Sequence, residues 1–280
     1  MDHGELSSRP VTDLTSPDLV EVLNRGFEDY ILPVQFQVVG LEQRMGREHL
    51  DRSASQVFYL DKQPVGVVMV DRRGWNSRIG AMGIAKPFRG RGLGKRMLGQ
   101  IVQAARGRGD RDMVLEAFED NTAAVRLYQS LGFRVTRRLV GYSKPAQDGG
   151  AETLTEIDPL EFSRIVGQEG DSEPPWMLAA ETFAGYGAPS RAFALGGAAF
   201  ALAQDTPGPS FILWGLVVRR ALRRQGWGTR ALEALMHLHA GKSCQVPQIV
   251  PEGLAPEFFA RSGFALTQLN QVEMHLDLIG

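Results

Sequence analysis

Residues 84–97, IAKPFRGRGLGKRM, stand between an apolar run and an amphipathic run and combine basic side chains with alternating glycines. A strand that ends in Gly-x-Gly-x-Gly and continues into a helix leaves several backbone N–H groups unpaired at the positive end of the helix dipole. Glycines allow close backbone approach to a bulky anion, and nearby Arg or Lys adds charge. The stretch therefore predicts a strand–loop–helix junction that binds phosphate.

The same pattern returns at residues 217–232, VVRRALRRQGWGTRAL, so that Arg223 follows Arg89 by 134 positions. An aromatic-x-x-x-Gly-Phe pattern also occurs twice, beginning at Tyr128 and at Phe259, 131 positions apart. Two landmarks at nearly one offset indicate a tandem duplication. The polar, Gly- and Pro-containing segment 144–152 is the best linker. We therefore predict domains at 1–145 and 153–280, joined by a linker at 146–152.

Composition agrees with two soluble globular domains. The chain has 280 residues, of which 43% are hydrophobic and 22% charged, with a formal net charge of −1. No global field draws such a chain to nucleic acid or to a membrane, so neither partner is expected. Basic charge is local, because Lys86 to Arg111 holds eight Lys or Arg residues and one acid, Asp110. We expect a monomer or a homodimer.

The first ten residues lack the basic and apolar regions of a secretion signal, and no apolar run approaches the ~20 residues of a membrane helix. A cytoplasmic protein is expected. Cys244 is the single cysteine, so an internal disulfide is excluded and we interpret it as a small buried hydrophobe. His237 and His239 fall on different helix faces, so no metal site is expected.

Local patterns predict the elements of the first half. SPDLVEVLNRGF predicts a helix capped by Ser16, and QVFYLDKQPVGVVMVDRRG predicts two strands around the turn DKQP. RIGAMGIA predicts a third antiparallel strand before the glycine loop and its helix. DMVLEAFE, NTAAVRLYQSLG and FRVTRRLVGYS then predict a strand, a short helix and a closing strand. The second half repeats this order.

Two other phosphate motifs fail at the first loop. A P-loop needs a glycine five residues before Gly94 and a Ser or Thr after Lys95, but Arg89 and Arg96 stand there. A dinucleotide fingerprint needs a glycine where Lys95 stands, and it needs a parallel βαβ unit. What remains is Arg-x-x-Gly-x-Gly, present in both halves.

This remaining pattern resembles the pyrophosphate-binding signature of the GNAT superfamily of N-acetyltransferases. In the first half the resemblance extends through LEAFEDNTAAVRLYQSLGF, residues 115–133, which is similar to a stretch of bacterial GNAT enzymes. The resemblance implies an α/β (α+β) chain of two tandem GNAT-like domains, each a mixed, mainly antiparallel twisted sheet flanked by helices. It also implies acetyl-CoA as co-substrate.

The resemblance assigns roles to residues of the first half. Backbone groups of Met82, Gly83 and Ile84 would hold the pantetheine arm and polarise the thioester oxygen, and Asn121 would hydrogen-bond the coenzyme. The pyrophosphate cradle would comprise Arg89, Gly90, Arg91, Gly92, Leu93, Gly94 and Lys95. An acceptor ammonium must lose a proton before it attacks, and the leaving thiolate gains from a proton donor.

Glu116 and Tyr128 resemble the base and the acid of GNAT enzymes that act on protein N-termini. We predict Glu116 as the base, through water, and Tyr128 as the acid. No covalent enzyme intermediate is needed. Structural alternatives remain open at this stage: Glu116 on a solvent-facing strand edge, and Tyr128 as a packing residue.

The second half keeps the loop but changes the chemistry. Its possible coenzyme site comprises Leu216, Val217, Val218, Arg223, Arg224, Gln225, Gly226, Trp227, Gly228 and Thr229. Aligned on the Gly-Phe pattern, Phe259 replaces Tyr128, Glu252 falls at Asn121, and Pro247 falls at Glu116. Phenylalanine cannot donate the proton and proline cannot accept one, so this domain is predicted to be catalytically degenerate.

The sequence thus favours an acetyl-CoA-dependent N-acetyltransferase acting on a primary amine of a small molecule or a protein. The rival is a non-catalytic acyl-CoA-binding sensor or scaffold. NRGFEDYILPVQF, residues 24–36, falls where GNAT folds place loops over the acceptor. Glu28, Asp29 and Tyr30 are therefore the candidates for contact with the amine.

Overall fold

The computed structural model describes residues 5–147, 150 and 152–279, and these form two compact units. The first unit comprises the chain up to Thr136 together with Val272 onward, and the second comprises Arg137–Gln271. Of the predicted linker at 146–152, residues 148, 149 and 151 lie outside the described residues. Within the described ranges, no helix combines the length and the apolar character needed to cross a bilayer.

The first unit contains helices on a mixed sheet of six strands in the order β1-β2-β3-β4-β5-β13. Strands β4 and β5 pair in parallel, whereas the β1–β2, β2–β3 and β3–β4 pairs are antiparallel. The elements are β1 (Leu6–Pro10), α1 (Ser16–Gly26), α2 (Val38–Glu48), β2 (Gln56–Leu60), β3 (Gln63–Arg73), β4 (Asn76–Ile84), α3 (Leu93–Arg108), β5 (Asp112–Phe118), α4 (Thr122–Gln129) and, from the chain end, β13 (Gln271–Asp277).

The second unit repeats this plan in the order β6-β11-β10-β9-β8-β7, with β12 paired to β6. Its β10–β11 pair is parallel, and its β9–β10 and β8–β9 pairs are antiparallel. The elements are β6 (Arg134–Lys144), β7 (Thr155–Ile157), α5 (Pro159–Glu169), α6 (Ala180–Ala184), β8 (Ser190–Leu195), β9 (Ala199–Asp205), β10 (Ser210–Val218), α7 (Trp227–Leu238), β11 (Ser243–Pro251), α8 (Pro256–Arg261) and β12 (Ala265–Leu266).

The compact units differ from the predicted halves at both ends. Strand β6 was expected to close the first half, but from Arg137 onward it belongs to the second unit, beside β11. Conversely β13 belongs to the first unit, where Met274 and Leu276 are buried in the core. The pairing of a strand depends on tertiary contacts, and a local sequence pattern does not show which sheet it joins.

Contacts of the chain end fix β13 in the first unit. The Leu278 N–H donates to the Arg111 carbonyl over 2.8 Å, and the Thr136 hydroxyl donates to the Glu273 carbonyl over 3.2 Å. A His275 ring nitrogen lies 2.7 Å from an Asp112 carboxylate oxygen on β5. The first unit therefore needs the last strand of the chain for its core.

Most predicted elements of the first half form where expected. Helix α1 differs in its cap, because the Thr15 side chain, and not that of Ser16, accepts the Asp18 N–H. The β2–β3 turn is formed by Asp61 and Lys62, both with positive φ, so part of the predicted turn DKQP is strand. Helix α2 was not predicted.

The cleft of each unit starts where its parallel ladder ends. In the first unit, pairing runs from Asn76–Asp112 to Ile79–Leu115, while β4 continues to Ile84. In the second unit, pairing runs from Ser210–Ser243 to Ile212–Gln245, while β10 continues to Val218. Beyond these pairs, β4 remains paired to β3 and β10 remains paired to β9.

Candidate active site

The glycine loops have the backbone geometry of an anion cradle. Helices α3 and α7 begin directly after Gly92 and Gly226, with φ of 72° and 84°, and neither helix has a side-chain cap. Gly90 has a φ of 76°, and its counterpart Arg224 keeps the same left-handed region at 65°. Nothing lies within 4 Å of the position that a Cβ would take at Gly90, Gly92 or Gly226. Open space beside uncapped helix amides fits a diphosphate.

Arg89, a predicted coenzyme residue, uses its side chain inside the protein. Its Nε donates to the Ile84 carbonyl over 2.8 Å, and its Nη2 donates to the Gly26 and Glu28 carbonyls over 3.1 and 2.6 Å. The guanidinium thereby ties the glycine loop to the end of α1. Arg89 remains exposed despite these contacts, as do Arg91 and Lys95.

Arg223 makes the matching contacts in the second unit. Its Nε donates to the Val218 carbonyl over 3.1 Å, and its Nη2 donates to the Glu169 carbonyl at the end of α5. The motif arginine is therefore a structural tie in both units. The prediction of phosphate binding therefore concerns the loop backbone that this arginine holds in place.

The end of β4 places Met82, Gly83 and Ile84 beside the cleft. These residues pair with β3 along one edge only, in register with Val68, Val67 and Gly66. A Cβ at Gly83 would lie 3.0 Å from Gly26, so glycine allows α1 to pack directly on β4. Likewise a Cβ at Gly94 would lie 3.0 Å from Leu127 on α4. These close approaches shape the wall on which the pantetheine arm is predicted to lie.

Glu116 is buried, not solvent-facing. Its side chain is 7% exposed, and its Oε2 accepts a hydrogen bond from the Arg78 Nε over 2.8 Å. Its Oε1 is buried without a hydrogen-bond partner among the described residues. An ionised carboxylate oxygen in this situation favours a donor such as an ammonium or a water molecule.

Arg78 lies at the centre of a buried ionic cluster that the sequence analysis missed. Its Nη1 donates to Glu48 on α2 over 2.8 Å and to Asp71 on β3 over 2.7 Å. Burial opposes the charge of Arg78, but Glu116, Glu48 and Asp71 together raise its pKa well above the ordinary value. The sequence pattern does not mark this cluster, because Asp71 and Arg78 stand beside other polar residues at the ends of β3 and β4.

The pKa values of Glu48 and Asp71 are shifted in opposite directions. Burial opposes ionisation of Glu48, but the charges of Arg44, Arg78 and Arg47 outweigh it and lower the pKa of Glu48. For Asp71, burial and the neighbouring Glu48 outweigh the attraction to Arg78 and raise its pKa. Asp71 is therefore the most easily protonated of the two.

Tyr128 is buried on α4 and is 8% exposed. Burial, with a smaller effect of the nearby Tyr30, raises the pKa of Tyr128 above its ordinary value. Its ring packs edge-on against Phe133, with ring centroids 6.0 Å apart. A phenol with a raised pKa keeps its proton at physiological pH, as a proton donor must.

Asn121 and Tyr30 lie on the same side of the site. The Asn121 side chain caps α4 by accepting the Ala124 N–H over 3.3 Å. Burial raises the pKa of Tyr30, while a hydrogen bond with the Asn121 side chain works in the opposite direction. The Tyr30 ring packs on Phe118, with centroids 6.1 Å apart. Asn121 thus has two structural partners besides the predicted coenzyme.

The structure separates the three acceptor candidates. Tyr30 reaches the site residues Asn121 and Tyr128. Asp29 forms an exposed ion pair with Lys86 over 2.7 Å, and Glu28 offers its carbonyl to Arg89. Of these three residues, Tyr30 packs its ring on Phe118, two residues after Glu116.

Comparison with known proteins agrees with this geometry. Residues 17–133 match the family model described as "Acetyltransferase (GNAT) family". This match falls within the first unit. A second match is the catalytic subunit of the N-terminal acetyltransferase B complex of Saccharomyces cerevisiae, 30% identical over 86 residues, which are 30% of this chain and 44% of the relative. The chain thus spans less than half the length of the curated relatives it matches.

Solved structures extend the fold to the whole chain. A tandem GNAT protein from the clavulanic acid biosynthesis pathway has a TM-score of 0.68 at 16% identity, with 99% of both chains covered. A putative acetyltransferase from Pyrococcus horikoshii also has a TM-score of 0.68, at 17% identity, covering 99% of this chain and 90% of its own. The predicted fold of two tandem GNAT-like domains is confirmed.

The second GNAT-like unit has a cleft of 1070 Å³ beside β10 and its glycine loop. Nine of the ten residues predicted for a second coenzyme site line it, from Leu216 to Thr229. The exception is Gln225, whose side chain donates to the Ala221 carbonyl over 3.3 Å. The volume is at the upper end of the roughly 300–1,000 Å³ of small-molecule sites.

Strand register supports the alignment of the two GNAT-like units. Since Ser210–Ser243 corresponds to Asn76–Asp112, Ile212 occupies the place of Arg78 and Pro247 that of Glu116. Phe259 is buried and stacks on Tyr142, with ring centroids 3.8 Å apart. Glu252 is paired with Arg138 over 2.5 Å. Cys244 is buried, which raises the pKa of its thiol to about 12.

Proposed function

We propose that the first unit transfers an acetyl group from acetyl-CoA to a primary amine, and that the second unit binds the coenzyme without transfer. One observation carries the proposal most of all. The buried Glu116 carboxylate keeps one oxygen unpartnered, on the strand whose separation from β4 opens the cleft. This site lies within the residues that match the GNAT family model, and the glycine loop that follows β4 fits a diphosphate.

Residues of the first unit have defined tasks in this reaction. The coenzyme, when bound, supplies the acetyl group as a thioester. Uncapped amides at the start of α3 hold its diphosphate, and the backbone of Met82 to Ile84 orients the thioester. Glu116 takes a proton from the acceptor ammonium through water, so the amine nitrogen gains the lone pair it needs to attack.

Tyr128 completes the transfer. As the amine nitrogen bonds to the carbonyl carbon, the carbon–sulfur bond breaks and Tyr128 gives its proton to the departing sulfur. The tyrosinate then regains a proton from the nitrogen of the new amide. The net products are an acetamide, the free thiol and the proton taken up by Glu116. No bond to the protein forms at any step.

For the second unit, the proposal rests on two observations: the loop keeps its backbone conformation, and the residues proposed to transfer protons are replaced. Arg224 and Gly226 keep the φ values of Gly90 and Gly92, and a large cleft adjoins them. Pro247 and Phe259 stand where Glu116 and Tyr128 stand in the first unit. This arrangement supports binding and leaves no group at those two positions to move a proton.

The acceptor is proposed only as a primary amine. The similarity to an N-terminal acetyltransferase subunit favours inclusion of peptides with a free N-terminus in any screen, beside small amines. Tyr30 is the proposed contact to the acceptor, because it packs its ring on Phe118, two residues after Glu116, and comes from the loop after α1.

Thiol release from acetyl-CoA in the presence of an amine panel tests the proposal. We expect thiol release with at least one amine, together with binding of two coenzyme molecules per chain in calorimetry. Thermal stabilisation by acetyl-CoA without thiol release for any amine would instead support a non-catalytic acyl-CoA sensor.

A further inference from the structure

We infer that Arg78 is the positioning residue of the base: it holds Glu116 Oε2 and thereby leaves Oε1 as the one oxygen that accepts the proton. The inference rests on the proposed acetyl transfer. It concerns a residue on a neighbouring strand that belongs neither to the glycine loop nor to the GNAT-like stretch at residues 115–133.

Geometry limits Glu116 to one orientation. Arg78 is fixed from both sides, because its Nη1 is bound by Glu48 and Asp71, at 2.8 and 2.7 Å, while its Nε binds Glu116 at 2.8 Å. The side chains of these four residues are each at most 7% exposed. A planar guanidinium held in this way offers its remaining donors at fixed angles.

The charged groups that surround Arg78 explain why, among the described residues, Glu116 Oε1 is the one buried carboxylate oxygen of the cluster that lacks a hydrogen-bond partner. Helix α2 contributes Glu48 with Arg44 and Arg47, which bind Glu48 Oε1 at 3.0 and 3.1 Å. Strand β3 contributes Asp71, and β5 contributes Glu116. Among the described side chains, Glu116 Oε1 is the one buried carboxylate oxygen without a hydrogen-bond partner.

The chemistry follows from this inventory. Arg78 Nε binds Glu116 Oε2, and Oε1 has no hydrogen-bond partner among the described residues. Because Arg78 occupies Oε2, the proton can be delivered only to Oε1. Fixing the oxygen in this way supplies the orientation that proton transfer through one water requires.

The second unit lacks both members of the pair. Ile212 and Pro247 occupy the places of Arg78 and Glu116. A buried arginine without its carboxylates, or the reverse, would be strongly destabilising. The presence of both in the first unit, and of neither in the second, is consistent with a single working unit.

The test is a double-mutant cycle on kcat with Arg78→Lys and Glu116→Gln. Lysine keeps the charge within the cluster but cannot hold three carboxylates at the angles of a guanidinium. We expect Arg78→Lys to lower kcat about ten- to a hundredfold with the KM for acetyl-CoA nearly unchanged. In the Glu116→Gln background, the same change should have no further effect, because Arg78 acts through Glu116.

Arg72→Lys is the matched control. Arg72 lies on β3 in the same sheet and bridges two carboxylates, Asp51 at 3.1 Å and Asp110 at 2.9 Å, but does not contact Glu116. It should leave kcat unchanged. If Arg78→Lys alone does not fold, as judged by circular dichroism, the cycle is repeated in an Asp71→Asn background, in which one buried carboxylate charge is gone.

Three outcomes are distinguishable. Loss of kcat that vanishes in the Glu116→Gln background supports the inference. Equal losses in both backgrounds would make Arg78 a merely structural residue and overturn the inference, while the proposed base stands. Full activity of Glu116→Gln itself would overturn the base, and the positioning role with it.

Discussion

In the first unit, Arg78 and Glu116 form a buried ion pair beside the cleft, whereas the second unit has Ile212 and Pro247 at the matching strand positions. Both units nevertheless keep the same loop, the same helix start and the same tie from the motif arginine to the preceding helix. The comparison teaches that the loop geometry and the buried Arg78–Glu116 pair are separate features of this fold, so that one is kept where the other is absent.

The second loop keeps its conformation even where the residue type opposes it. Arg224 has a φ of 65°, in the left-handed region where Gly90 stands in the first unit. A non-glycine residue there costs about 1–2 kcal/mol. Retention of this strained geometry indicates that the loop shape itself is needed in the second unit, which fits a bound diphosphate.

The largest effect on kcat is expected at Glu116, because the second unit has no carboxylate at the matching position. Glu116→Gln should lower kcat about 10³-fold, because the amide cannot take the ammonium proton. Steady-state thiol release measures it, and coenzyme stoichiometry in calorimetry should stay at two per chain. Asp120→Asn is the matched control, since Asp120 is exposed and lies four residues further along. A Glu116→Gln chain with near-normal kcat would show that the proton leaves by another group.

Because β13 belongs to the first unit, a destabilising substitution in β13 should affect the first unit and not the second. Met274 is fully buried, so Met274→Ala should lower the free energy of unfolding by about 3 kcal/mol. Amide hydrogen exchange should quicken in β5 and α4 of the first unit and stay unchanged in β9 and β10. The control is Leu266→Ala, because Leu266 is 55% exposed. Faster exchange confined to β9 and β10 would contradict the assignment.

The proposed acid should matter in one unit only. Tyr128→Phe, which copies Phe259 of the second unit, should lower kcat about 10²-fold. Since burial raises the pKa of Tyr128 above the ordinary value of about 10, the hydroxyl keeps its proton and the rate should show no loss from its ionisation below about pH 10. A pH–rate profile of wild type and variant measures both. Unchanged kcat in Tyr128→Phe would make Tyr128 a packing residue.

A smaller effect is expected at the motif arginines. Arg89→Met and Arg223→Met should each lower the free energy of unfolding by about 1–2 kcal/mol, because each leaves backbone carbonyls without their donor. Only Arg89→Met should also raise the KM for acetyl-CoA, by several-fold, since only the first loop serves turnover. Thermal unfolding and initial rates compare the two. An equal rise in KM for both would mean that both units turn over.

The glycine loops, the candidate base and acid, and the duplication could be predicted from the sequence, because each depends on a local sequence pattern. Alternating glycines before an amphipathic run identify the loop. Glu116 and Tyr128 follow it in the same half of the sequence, so both candidates are predicted to lie in the first unit. The repeat offset likewise predicts that Pro247 is the equivalent of Glu116 in the second half, and the strand registers give the same equivalence. Each of these inferences needed only residues near one another in the chain.

The unpredicted features depend on tertiary contacts. Arg78 lies among alternating residues on β4 and is indistinguishable there from a solvent-facing polar residue, until β3, β5 and α2 bring its carboxylates to it. Similarly, nothing in the sequence of β13 indicates that it joins β5 of the first unit. The internal use of Arg89 depends on carbonyls more than sixty residues away in the chain.

The most direct measurement compares acetyl transfer by Gly92→Val and Gly226→Val chains. Valine is strained at the positive φ of either glycine, so each change should disable one cradle and leave the other intact. We predict that Gly92→Val abolishes thiol release and that Gly226→Val keeps it, with each variant binding one coenzyme in calorimetry. Loss of transfer in Gly226→Val with full activity in Gly92→Val would contradict the account.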